Sequence, residues 1–149
     1  MNLNYANTLK PTIPVELGAF DVHGISDNDL INAPSWLDIS TDLQAILANR
    51  VCVIFNSDFD ERLILQTAQA FNDDVTWFYD VKIYCAMALA AKCFGSSNRY
   101  GSISLVDATY YANVNFRGSN HSAVVDAQAT ADVIKAMAQS YIDLASQLE

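Results

Sequence analysis

A helix-rich α/β chain is what this sequence predicts, and three observations carry that reading. The run Val51-Cys-Val-Ile-Phe55 is continuous, apolar and largely β-branched, the pattern of a parallel strand covered on both faces. It hands over at once to Phe59–Phe71, in which Leu63, Ile64, Thr67, Ala68 and Phe71 share one side at helical spacing. Near the other end, Asp126, Thr130, Ile134, Met137, Tyr141, Ala145 and Leu148 recur at three- and four-residue steps, one stripe of a long helix. With Val75–Tyr79 as a second short strand, the elements form βα units. Two strands are few for a self-sufficient sheet.

Taken in order, Leu3-Asn-Tyr-Ala-Asn has weak alternation and is broken by Pro11 and Pro14. Val15–Val22 has helical spacing, and His23-Gly24 stops it with glycine just past the end. Ser26-Asp-Asn-Asp29 reads as a cap or turn before a short helical piece, Leu30–Asn32, which Ala33-Pro34 ends. Ser40 or Thr41 caps a helix over Asp42–Asn49, with Leu43, Ile46 and Leu47 on its apolar face. After the Val75–Tyr79 strand, Asp80 or a neighbour opens an alanine-rich helix, Val81–Phe94, closed by Gly95. Ser104 starts a helix over Leu105–Asn113, and Val114–Asn120 leads to the last helix.

The 149 residues suit one domain, 1–149, with a single core, and the composition is globular: 52% hydrophobic and 17% charged. No low-complexity segment or internal repeat is visible. The formal charge of −9 and the scattered lysines and arginines exclude the basic stripe of a duplex binder. An acidic chain still binds a nucleic-acid end if metal ions carry the positive charge. The first residues lack the basic and apolar regions of a signal peptide, and the apolar run Tyr84–Ala91 is too short to span a bilayer. Cys52, Cys85 and Cys93 are odd in number and lack metal-ligand spacing, which predicts reduced, mostly buried thiols in a cytoplasmic protein.

Two stretches carry candidate chemistry. Asn56-x-x-Phe59-Asp60 stands where a parallel strand meets a helix, the crevice in which open α/β sheets bind ligands. Taken alone, this motif favours the plain structural role: Asp60 caps the helix and Asn56 ties down the turn. His121-x-Ala-x-x-Asp126 puts a histidine in the loop entering the last helix and a carboxylate on its inward stripe. A buried-side carboxylate is costly without a partner, and histidine is the basic group that changes charge near neutral pH. A surface histidine and a capping aspartate remain the alternative.

Together, a strand-end Asn-x-x-Phe-Asp about 65 residues before His-x-Ala-x-x-Asp resembles the second and third motifs of the DnaQ-like 3′–5′ exonucleases, in their histidine-bearing DEDDh branch. Val22-His-Gly-Ile-Ser26, Trp77-x-x-Asp80, Tyr84-Cys-Ala-Met87 and Ala127-x-Ala129-Thr130-Ala131 are similar to further segments of that family, so the likeness runs from about Leu3 to Met137. The resemblance implies an RNase H-like fold and hydrolysis of phosphodiester bonds at a nucleic-acid 3′ end, DNA or RNA, with two Mg²⁺ or Mn²⁺ ions. By the same resemblance Asp60 and Asp126 match metal ligands, and His121 matches the general base. The resemblance further implies that Asn56 and Phe59 shape the groove and that His23 would lie near the terminal nucleotide.

The front departs from the family pattern. The family's Asp-x-Glu strand should precede the His-Gly-Ile segment, yet that segment arrives at residue 23, and Glu16 and Asp21 lack the spacing. The expectation is an N-terminally truncated version without the first two strands, with half of the metal clamp absent and activity reduced. The strand Val51–Phe55 then has an unpaired apolar edge, which predicts a homodimer or a partner chain pairing there. Two other readings stand beside the enzyme: an inactive exonuclease-like binding or regulatory module, and a helix-rich interaction domain.

Overall fold

The computed structural model describes residues 8–116 and 123–146. They fall into two compact units, one of residues 8–52 and 61–82, the other of 53–60, 83–116 and 123–146. The elements in chain order are α1 (Leu17–His23), α2 (Trp36–Leu47), β1 (Val51–Ile54), α3 (Ser57–Ala70), a 3₁₀ turn (Thr76–Asp80), β2 (Lys82–Cys85), α4 (Ala86–Phe94), α5 (Leu105–Tyr111) and α6 (Ala123–Ser146). β1 and β2 pair as a two-stranded parallel sheet. The helix-rich α/β class is as expected.

In the first unit, α1 ends as its sequence dictates. Gly24 takes φ +68°, a left-handed conformation open to glycine, and its N–H reaches the Phe20 carbonyl. Asp29 then closes a turn by accepting from the Ser26 N–H at 2.8 Å and hydroxyl at 2.6 Å. Leu30–Asn32 is not helical; residues 26–33 make successive i→i+3 turns. α2 starts six residues before the expected Asp42, because Ser35 and Asp38 form the capping pair. The Asp38 carboxylate accepts from the Ser35 N–H at 2.7 Å and its hydroxyl at 2.6 Å. The early start buries Trp36 and Ile39. The Trp36 indole N–H donates to Asp73 at 2.7 Å, so its one polar group is satisfied.

Val75–Tyr79 is not a strand. Thr76–Asp80 coils as a 3₁₀ turn, with Val75 and Phe78, three residues apart, both buried. Lys82–Cys85, expected to be helical, forms β2 instead, and the helix begins only at Ala86. Both strands alternate between exposed and half-buried residues, so β1 is covered on one face rather than two. Val51 is 57% and Val53 41% exposed.

The second unit is built on α4, α5 and α6, which pack on one another. Its centre is Ala90, Ile103, Ala108 and Val133, ringed by Phe55, Met87, Phe94 and Met137. Alanines at 90 and 108 let the helix backbones approach closely. Ser104 caps α5 by accepting the Asp107 N–H at 3.0 Å. α6 covers the expected last helix, but among the described residues its inward stripe goes no further than Met137: Tyr141 is 75% exposed, and Leu148 lies outside the described residues. The thiols are also less buried than expected: Cys52 and Cys85 are half-buried and Cys93 is exposed.

Truncating the fully buried Ile103 to Ala should cost about 2–5 kcal/mol in chemical denaturation, while Tyr141→Ala should stay within about 0.5 kcal/mol of the parent. The α2 cap has a pH signature. The Ser35 hydroxyl, and then its N–H, hold the Asp38 carboxyl below its ordinary value. A depressed carboxylate contributes stability above its unfolded pKa and loses it as pH falls through the folded one. Asp38→Ala should therefore lower the melting temperature at neutral pH, and the gap should close on acidification through the carboxylate range.

Candidate metal and nuclease site

The Asn56 backbone, at φ +66°, turns the chain from β1 into α3, a conformation asparagine tolerates better than any β-branched residue. Its carbonyl accepts the Phe59 N–H at 3.0 Å. Phe59 and Asp60 thereby fall in the first turn of α3. The parallel junction, from β2 into α4, is tied to this one through the Cys85 thiol. Burial pushes that thiol's pKa up, but N–H groups of Ala88, Ser57 and Asn56 and the Ser57 hydroxyl outweigh it and hold it below the usual value.

Within this second unit a cavity of about 710 Å³ opens between the β1–α3 junction and the start of α6. Phe59 and Asp60 line it from one side, and Asp126, Thr130, Ile134 and Lys135 from the other. Two adjacent i+4 rows of α6 supply that wall: Asp126, Thr130 and Ile134 form one, Ala123, Ala127, Ala131 and Lys135 the next. Thr130 is nearly fully buried, and its hydroxyl donates to the Asp126 carbonyl at 2.8 Å. Lys135 pairs with Asp132 at 3.1 Å, an exposed contact of small energetic weight. Burial raises the Asp60 pKa, partly offset by its own backbone N–H. A half-buried carboxylate held against its ionised form fits a cation that would neutralise it.

The structure thus brings together Asp60, Asp126 and Phe59 of the expected set. Asn56 is exposed and makes the turn, without lining this cavity. His23 belongs to the first unit, exposed at the end of α1, where its Nδ1 accepts the Ile25 N–H at 3.0 Å. His121 lies outside the described residues. Sequence reasoning passed over Lys135; the signal was available, since it continues the Ala127–Ala131 row by four residues. Among the described residues no group of three or more His, Cys, Asp or Glu is arranged to hold a metal, and no helix is long and apolar enough to cross a membrane. Asp60 and Asp126 offer two carboxylates, a number on which Mg²⁺ can bind if substrate phosphates and water complete its shell.

A family model described as exonuclease matches residues 4–134. An uncharacterized exonuclease of Escherichia phage 186 is 36% identical over 140 residues, covering 89% of this chain and 72% of that protein. The DNA polymerase III subunit epsilon of Buchnera aphidicola (subspecies Baizongia pistaciae) is 30% identical over 135 residues, or 87% of this chain. That of Escherichia coli is 27% identical over 147 residues, or 98% of this chain. The chain spans only 52% and 59% of these two subunits. The chain belongs to the DnaQ-like 3′–5′ exonuclease family, with its RNase H-like fold. Nuclease chemistry supported by divalent metal is the family's character.

Adding Mn²⁺ should raise the melting temperature of the protein, by an amount equivalent to about 2.7 kcal/mol at a hundredfold excess over Kd. Asp60→Asn and Asp126→Asn should each abolish the rise. Without metal the sign reverses for Asp60. A carboxyl whose folded pKa is raised opposes folding once ionised, so Asp60→Asn should melt above the parent at neutral pH, and the two should converge in acid.

Proposed function

We propose that this chain is a metal-dependent 3′–5′ exonuclease acting on the 3′ ends of single-stranded DNA or RNA. The observation that carries the reading is the shared cavity: Asp60 from the β1–α3 junction and Asp126 from α6 line one groove. In this reading Asp60 and Asp126 would hold Mg²⁺ or Mn²⁺, and the chemistry such an ion would supply is polarisation of the scissile phosphate and activation of a water. His121, five residues before Asp126, takes the water's proton. Phe59, on the groove wall, packs against the terminal sugar and base. Among the described residues two carboxylates, Asp60 and Asp126, meet in this groove, short of the four that the family's clamp uses. The same shortage supports a second reading, an inactive exonuclease-like module that binds 3′ ends without cutting them.

A uniformly labelled single strand with Mn²⁺ separates the two. Release of single nucleotides that drops by roughly 10²–10⁴-fold in His121→Ala supports the enzyme, a span typical of a general base. Retention of the strand without release supports the module, and equal release by the variant removes His121 from the reaction.

Partner pairing belongs to the same reading. Among the described residues β1 pairs with β2 alone, so its other backbone edge carries no strand, and its Val51 and Val53 side chains stay exposed on one face. An apolar edge of this kind pairs with another strand, in a second copy or a partner chain. Light scattering at micromolar concentration should give a dimer mass that reverts to monomer in Val53→Lys; a monomer in the parent overturns the pairing.

A further inference from the structure

A second groove lies wholly within the first unit, a cavity of about 490 Å³ where β1 and β2 begin. Arg50 stands just before β1 and Lys82 opens β2, and both line it. Trp77 forms an aromatic wall. Its ring stands edge-on to that of the buried Phe78, with centroids 5.8 Å apart and planes at 87°. The 3₁₀ turn fixes that pair through two short-range bonds, Phe78 N–H to the Val75 carbonyl at 2.8 Å and Val81 N–H to the Phe78 carbonyl at 3.1 Å. Asn49 and Gln44 add amide donors and acceptors, and Asp80 is the one carboxylate in the lining.

The charge is out of keeping with the chain. The protein carries −9 overall with eight lysines and arginines, yet two of the eight meet in this groove against a single aspartate. Neither Arg50 nor Lys82 makes an ion pair among the described residues. A flat aromatic wall beside two uncommitted cations and two amides suits a ligand with a planar polar ring and an anionic group. At this volume the groove falls within the roughly 300–1,000 Å³ range of small-molecule sites, so one nucleotide fits and a duplex does not. Guanidinium and ammonium donors take phosphate oxygens, and a nucleobase stacks on indole without regard to its identity.

We propose that this groove is a mononucleotide site: phosphate on Arg50 and Lys82, base on Trp77, base edge within reach of Asn49 and Gln44. The occupant is either a free nucleoside 5′-monophosphate, the chemical product of 3′–5′ strand shortening, or one unit of a bound strand. The site does not depend on metal or on cleavage at Asp60 and Asp126.

The full chain in EDTA is titrated with dAMP, with deoxyadenosine, and with a short single-stranded oligonucleotide, reading tryptophan emission and equilibrium dialysis. Saturable quenching by dAMP at least about tenfold tighter than by deoxyadenosine is expected, since phosphate supplies the charged contacts. Arg50→Gln and Lys82→Gln should each weaken dAMP about tenfold, Asp80→Asn should tighten it, and Trp77→Phe should remove the quenching while dialysis still detects weakened binding. Tighter binding of the oligonucleotide, lost in the same variants, assigns the site to a strand unit; dAMP binding alone assigns it to the free nucleotide. No retention of either probe at millimolar concentration overturns the proposal. So does loss of dAMP binding in Phe59→Ala with Arg50→Gln unchanged, which would put the nucleotide in the acidic groove and leave the exonuclease reading intact.

Discussion

The rotation of α6 about its own axis is the constraint on which the candidate site depends. At about 100° per residue, Ala129, Val133 and Met137 follow one another along the face turned to α4 and α5. Asp126 and Thr130 sit on the border of that face, and Ala127, Ala131 and Lys135 beyond it. Val133 has no exposed surface, so the core fixes the helix in this one rotation. A slip by a single residue would drive Ile134 into the core and carry Asp126 out of the groove. Packing chooses the position of the carboxylate; the carboxylate does not choose its own.

The opposite wall is set by backbone conformation instead. Asn56 leaves the strand with a positive φ, which starts α3 soon enough to bring Asp60 back over the end of β1. The Cys85 thiol, accepting N–H groups from this junction and from the start of α4, links two turns that are distant in sequence. The groove therefore has one wall held by side-chain packing and the other by hydrogen bonding. Changes in the core around Val133 and changes at Asn56 or Cys85 act on different carboxylates.

Much of this was legible because it is written locally. The β1 run, the Ser104 cap and the glycine stop at Gly24 each follow from a few adjacent residues, and so does the α3 face except at Leu63, which was expected inside and is 42% exposed. The Asp60 and Asp126 pairing came from motif order, since nothing local says that residues 66 apart share a cavity. Where local signals conflict, sequence reading fails. Trp77, Phe78 and Tyr79 have strand propensity, yet burial of Val75 and Phe78 three apart coils them into a 3₁₀ turn. The alanines of α4 extended the expected helix backward over Lys82–Cys85, whose pairing with β1 is a long-range decision. Trp36 and Ile39 open α2 directly after Ala33-Pro34, a pair that locally signals a helix end; the Ser35–Asp38 capping pair overrides that signal. Tyr141 followed the stripe of α6 past the point where there is anything to cover it.

That last point has a mechanical side. α6 is 24 residues long, but among the described side chains its packed contacts end near Met137; beyond it Tyr141 and Ile142 are exposed and local pairs such as Gln139 with Asp143 at 2.7 Å run along the helix. Isolated helical segments as short as the stretch beyond Met137 are marginal in water. The helix therefore behaves as a beam clamped at one end, with amide protection highest around Val133 and declining toward Ser146. The clamped end is the end that carries Asp126. Thermal motion of the rest of the helix is spent far from the groove, and the carboxylate keeps its place while the tail of the beam frays.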